Sequence, residues 1–96
     1  MKMFMIVCPE TRRADIRELI AEHEVHAYTE LRQVTGEGDT GKKLGTETWP
    51  ETSIIILAVV PDDKQAELMN ALKTCRKTLF PGEGMRAFVM PVEAAL

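Results

Sequence analysis

Between Pro50 and Pro61 lies Ile54-Ile55-Ile56-Leu57-Ala58-Val59-Val60, an uninterrupted apolar run rich in β-branched residues. It is far shorter than the roughly 20 residues of a membrane span, and its branched side chains favour a pleated conformation over a helix. A strand with no polar alternation must be covered on both faces, so Thr52 to Val60 is predicted to be the central strand of a sheet. Lys2 to Cys8 is a second segment of the same kind, ended by Pro9.

Each of these strands is followed by a helical pattern. After Pro9, Thr11 is placed to cap a helix with Ala14, Ile16, Leu19 and Ile20 inward and Arg12, Arg13, Asp15, Arg17 and Glu18 mostly toward water; it fades near His23. After Pro61, Asp62 or Asp63 caps a second helix with Ala66, Leu68, Met69, Leu72, Cys75 and Leu79 inward, ended by Pro81-Gly82. Tyr28 to Thr35 has β-rich composition but broken alternation, since Leu31 and Val34 share no face, and is read as a strand leaving the core. Met85 to Val92 completes the order strand, helix, strand, strand, helix, strand. That is the ferredoxin-like βαββαβ plan, an α+β fold with a four-stranded antiparallel sheet and both helices on one face. The 96 residues form one domain, 1–96, whose small core would gain from assembly. The strands carry too much Ile, Val, Met and Phe for a wet outer face, so that face is predicted to pack against other subunits.

The net charge of −3 argues against a nucleic-acid surface, which draws its affinity from excess basic charge. No segment has the length of a membrane span or the pattern of a signal peptide, and the chain is expected to be cytoplasmic, with Cys8 and Cys75 reduced. No catalytic constellation emerges from one serine and two closely spaced histidines, so enzymatic activity is not expected. An acylphosphatase-type site would need an arginine and asparagine pair, and Asn70, the only asparagine, falls in the second helix.

All six glycines fall in two places. Gly36, Gly38, Gly41 and Gly45 surround Lys42 and Lys43, and Gly82 and Gly84 are followed by Arg86. An open backbone beside positive charge suits a bound anion. Gly36 to Lys43 comes close to the dinucleotide fingerprint and to the P-loop. Both need a helix at the last glycine, which Leu44 to Pro50 cannot begin, and the P-loop also needs Ser or Thr where Lys43 stands. The candidate ligand contacts are therefore Gly36, Gly38, Gly41, Lys42, Lys43, Gly82, Gly84 and Arg86. Trp49 is read as a plug for the core edge or an anchor for a partner. His23 and His26, spaced i, i+3, could share a helix face and offer a metal site, an alternative weighed against simple favourable contact with the helix dipole.

Several segments resemble the PII-like signalling superfamily. Lys2 to Val7, Pro9 and Asp15-Ile16-Arg17-Glu18 are similar to its opening strand and helix. Thr35-Gly36-Glu37-Gly38 resembles the base of its T-loop, and Gly82-Glu83-Gly84 followed by Phe88-Val89-Met90-Pro91-Val92-Glu93 resembles its second G-x-G and closing strand. The resemblance implies a homotrimer that binds an adenine nucleotide, with or without magnesium, in clefts between subunits. The loop from Gly38 to Trp49 would report the ligand to a partner such as a transporter or enzyme. It further implies that Gly36, Gly38, Gly82 and Gly84 line the cleft, with Arg86 the basic phosphate contact if Phe88-Val89 sets the register and Met85 in its place if the glycines do. The loop is shorter than in nitrogen-regulatory members and lacks tyrosine, so nucleotidylation is not expected; an Arg-rich tail beyond Leu96 is not present in this sequence. Gly45 to Pro50 resembles a branch other than the nitrogen sensors. A trimeric metal-responsive protein of CutA type is the alternative reading.

Overall fold

The computed structural model describes residues 1–38, 41–43 and 52–96. The expectations for Trp49 and Gly45 lie outside the described residues, as do the side chains of Lys42 and Lys43. Strands β1 (Lys2–Pro9), β2 (Thr29–Val34), β5 (Ser53–Val60) and β6 (Arg86–Pro91) and helices α1 (Arg13–Glu22) and α2 (Gln65–Arg76) follow the predicted order, and two short strands that the sequence did not predict, β3 (Gly36–Gly38) and β4 (Gly41–Lys43), are added to it. Strands β3 and β4 pair as a separate ribbon within the loop, Glu37 opposite Lys42 and Gly38 opposite Gly41.

The main sheet runs β2-β5-β1-β6, antiparallel throughout, which is the ferredoxin-like arrangement. The β1–β5 register sets Phe4 opposite Ala58, Ile6 opposite Ile56 and Cys8 opposite Ile54. These six side chains, with Ile16 and Ile20 of α1 and Leu68 and Leu72 of α2, are buried. Strict alternation thus sends one half of each apolar run toward both helices. The other half, including Met5, Val7, Ile55 and Leu57, lies on the open face, joined there by Leu31, Val59 and Phe88, which are 47%, 48% and 52% exposed. Burial inside the core pushes the Cys8 thiol up to about 12, with the negative potential of Cys75, Glu10 and Glu30 adding to the effect.

The helix starts differ from expectation. Each strand-to-helix junction is a short 3-10 turn after a proline, Glu10–Arg12 after Pro9 and Asp62–Lys64 after Pro61, and no side chain caps either helix. A 3-10 turn satisfies part of the first turn's donors through the backbone, which leaves the expected caps free for other work. Thr11 donates instead to Glu83 Oε2 at 3.0 Å, and Asp62 pairs with the terminal ammonium at 2.7 Å. Ala14 and Ala66, expected inward, are exposed, and α2 ends at Arg76 rather than at Pro81.

Helix α1 closes in a Schellman motif: Val25 N–H donates to Ile20 O (2.8 Å) and Glu24 N–H to Ala21 O (3.0 Å), with Glu24 left-handed at φ 63°. Removing the centre of the core tests the packing described here. Ile56→Ala should lower folding stability by about 2–5 kcal/mol, read as a shift in urea midpoint at constant slope, whereas Lys73→Ala at an exposed position of α2 should cost less than about 1 kcal/mol.

Candidate ligand site at the glycine segments

Strand directions put both glycine segments at one end of the sheet. β1 and β2 run toward that end, while β5 and β6 start from it, so Gly36–Gly38 and Gly82–Gly84 share a level with Pro9 and Ser53. They are nevertheless at opposite edges, because β5 and β1 separate β2 from β6. Three strand spacings amount to roughly 14 Å. The segments of one chain therefore do not meet across the sheet.

The two kinds of glycine differ physically. Phe80-Pro81-Gly82-Glu83 is a turn closed by Glu83 N–H on Phe80 O at 3.0 Å, with Gly82 at φ 88°. Proline then positive φ is the type II pattern, so Gly82 is required by the turn itself. A Cβ on Gly36 would meet nothing within 4 Å, and its φ is not positive; the fold of one chain places no such demand there. Next to Gly84, Met85 is buried in the core while Arg86 is exposed as the first residue of β6. Arg86 pairs with Val7 and shares the open face with Phe88.

Glu83 stands between the two glycines and was given no role by its sequence context. Its carboxylate accepts from Arg12 Nε (3.1 and 3.2 Å) and Nη2 (2.9 Å), from Thr11 Oγ1 (3.0 Å) and from Phe80 N–H (2.8 Å). Arg12, expected in water, has a side chain only 14% exposed. It also donates to Asp15 and to Thr78 O, and stacks 5.0 Å from the Phe80 ring. The strap ties the β1–α1 turn to the α2–β6 turn and neutralises the acid in the middle of the second glycine segment. Arg12 and the Phe80 amide hold the Glu83 carboxyl down to about 2.

A second cluster closes the β2 edge. Arg13 donates twice to Glu30 Oε2 (3.0 and 2.9 Å), Arg17 Nε reaches Tyr28 Oη at 2.8 Å, and Arg17 Nε stands 3.6 Å from Glu30 Oε1. Arg13, expected in water, is only partly exposed, whereas Arg17 is exposed as expected; both bridge α1 to the sheet. A groove of about 400 Å³ on this flank is lined by Arg17, Val25, His26 and Tyr28 among others, and by no glycine-segment residue.

The histidines do not share a helix face. α1 ends at Glu22 and the left-handed Glu24 turns the chain before His26, while His23 Nδ1 hydrogen-bonds Glu67 Oε2 at 2.6 Å. Among the described residues no group of three or more His, Cys, Asp or Glu is placed to hold a metal ion. No helix among them is long and apolar enough to cross a membrane.

The strap makes stability depend on pH with a definite sign. Because the folded-state value of Glu83 lies below its unfolded one of about 4.5, its contribution is complete above that pH and is lost as pH falls toward about 2. Glu83→Gln should lower the melting temperature by several degrees at pH 7, and the difference from the parent should shrink through that acid window. Thermal melts from pH 7 to pH 2 in which the difference stays constant would remove the strap from the account.

Comparison with known proteins agrees with the architecture. A ligand-bound structure of CPII, a nitrogen regulatory PII-like protein from Thiomonas intermedia K12 bound to ADP, AMP and bicarbonate, superposes with a TM-score of 0.74 at 18% identity, covering 97% of this chain and 88% of that one. The apo form of CPII gives 0.67 at 15% identity, covering 95% and 89%. A protein described as PII-like signalling, from Thermus thermophilus, gives 0.67 at 17% identity, covering 93% and 83%. At such identities these likenesses speak for the fold. No curated protein matches the sequence significantly. The profile of the family described as Nitrogen regulatory protein P-II matches residues 1–96, so the chain belongs to that family.

Proposed function

We propose that this chain is a trimeric, non-catalytic regulator that holds an adenine nucleotide, with or without magnesium, between neighbouring subunits. The reading rests on one observation: the two glycine segments share an end of the sheet but sit on its opposite edges. Only a second copy, set edge to edge, can bring one chain's Gly36–Gly38 against another's Gly82–Gly84. The apolar open face, with Leu31, Val59 and Phe88 half exposed, supplies the surface such an assembly would bury. CPII, which shares the fold, is described as bound to ADP and AMP.

In this site Gly36, Gly38, Gly41, Gly82 and Gly84, lacking side chains, let the main chain come close to the phosphates, and Lys42, Lys43 and Arg86 supply positive charge. Arg12 prepares the second glycine segment by neutralising Glu83, the carboxylate between Gly82 and Gly84. The loop 36–50 then changes its conformer populations according to the ligand, and a transporter or enzyme reads the change.

Calorimetry with ATP, ADP, AMP and cyclic nucleotides, with and without magnesium, should find at least one that binds more tightly than about 1 mM, or about −4 kcal/mol. Gly36→Ala and Arg86→Ala should each weaken that binding about tenfold or more, and Gly36→Ala, whose added methyl meets nothing within 4 Å, should leave the melting temperature nearly unchanged. Absence of binding by all of them ends the nucleotide reading. Light scattering should give a trimer, and Leu57→Lys on the open face should dissociate it; a monomeric parent would exclude a shared site.

A further inference from the structure

The broken alternation of β2 has a structural cause. Thr29, Glu30 and Leu31 pair with Leu57, Ile56 and Ile55, but Val34 pairs with Ser53, so two residues, Arg32 and Gln33, stand opposite Ile54. This is a one-residue bulge, and Gln33 occupies it in the left-handed region at φ 57°. An extra residue in a bulge is left without a ladder partner, and a non-glycine residue at positive φ carries a steric cost. Something must hold it.

Glu10, in the 3-10 turn after β1, supplies the hold. Its Oε1 accepts from Gln33 N–H at 2.7 Å, its Oε2 accepts from Arg32 Nη2 at 3.3 Å, and its own N–H donates to Thr52 O at 3.1 Å. The carboxylate side chain is largely covered, 19% exposed. One residue thus grips the chain where it enters the 36–50 loop and where it leaves.

The consequence concerns direction. Were β2 regular, Gln33 would oppose Ser53 and Val34 would face the helices; with the bulge, Val34 opposes Ser53 and faces the open side. A slip of one residue also reverses the sense in which successive N–H groups point. We propose that Glu10 is a positioning residue for the ligand site: by holding the bulge at Gln33, it sets the side of the sheet edge toward which the Gly36–Gly38 main chain is presented. Its functional meaning rests on the nucleotide reading above, whereas the register itself does not.

The variants are Glu10→Ala, Glu10→Gln, Gln33→Gly and the double variant Glu10→Ala/Gln33→Gly, each in the full chain. NMR without ligand reads the backbone coupling and amide exchange of residue 33 and the cross-strand contacts of residue 34 with Ser53. ADP titration reads affinity. Glu10→Ala should speed exchange at residue 33 about tenfold or more and weaken the 34–53 contacts, with a parallel loss of ADP affinity. Glu10→Gln, which keeps a neutral acceptor, should retain the bulge. Glycine tolerates positive φ without cost, so Gln33→Gly should restore both readouts in the Glu10→Ala background, a rescue that general destabilisation would not show. Unchanged residue-33 coupling and 34–53 contacts in Glu10→Ala, or no rescue by glycine, would overturn the proposal. Failure of the parent to bind ADP would count against the nucleotide reading alone, since the NMR arm still decides the register.

Discussion

Two helices can cover only one face of a four-stranded sheet, and most features of this molecule follow from that limit. Phe4, Ile6 and Cys8 with Ile54, Ile56 and Ala58 meet α1 and α2, and their burial supplies the driving force for the fold. The alternate residues are just as apolar but have no cover within the chain. Sequence selection for a monomer would place polar groups at Leu57 or Val59, because a strand with one wet face normally alternates. That β5 does not alternate agrees with the assembly proposed above, in which a second cover lies on the open face.

Ion pairs complete what the helices cannot. The sheet edges and the turns at its ends are polar, and they are closed by arginines of the β1–α1 region: Arg12 to Glu83 beyond α2, Arg13 and Arg17 to Glu30 on β2. The Arg12–Glu83 pair joins elements remote in sequence, while Arg13 and Arg17 fix α1 against β2, the next element in the chain. Their worth comes from geometry, since shared, largely covered carboxylates lose less to solvent screening than exposed pairs do. The carboxylate of Glu10 works by a different route, satisfying a backbone N–H at a bulge.

Local signals made the elements and their order legible. The Ile54–Val60 run, the prolines that close both central strands and the helical spacing of Ile16, Ile20, Leu68 and Leu72 act over short distances, and the structure realises each of them. The irregularity of β2 was visible in the odd spacing of Leu31 and Val34, but the expectation that they share no face fails, because the bulge between them brings both to the open face. What sequence did not reveal were pairings set by tertiary geometry. Arg12 and Glu83 lie 71 positions apart, and no spacing rule joins them. Thr11 and Asp62 looked like helix caps because capping residues and exposed hydrogen-bonding residues are chemically the same; the 3-10 turns removed the vacancy they would have filled. At the candidate site, the glycine pattern located both segments, but their placement at opposite edges became evident only with the strand order.

The depth of Cys8 in the sheet has a chemical consequence. With its ionisation pushed to about 12, the sulfur is almost entirely protonated at neutral pH and shielded by α1 and α2, so it is a poor nucleophile while β1 stays paired. Alkylation or oxidation there would proceed through molecules whose first strand has come away, and the rate of labelling would count those openings. The innermost thiol thus acts as a clock for the integrity of the whole sheet.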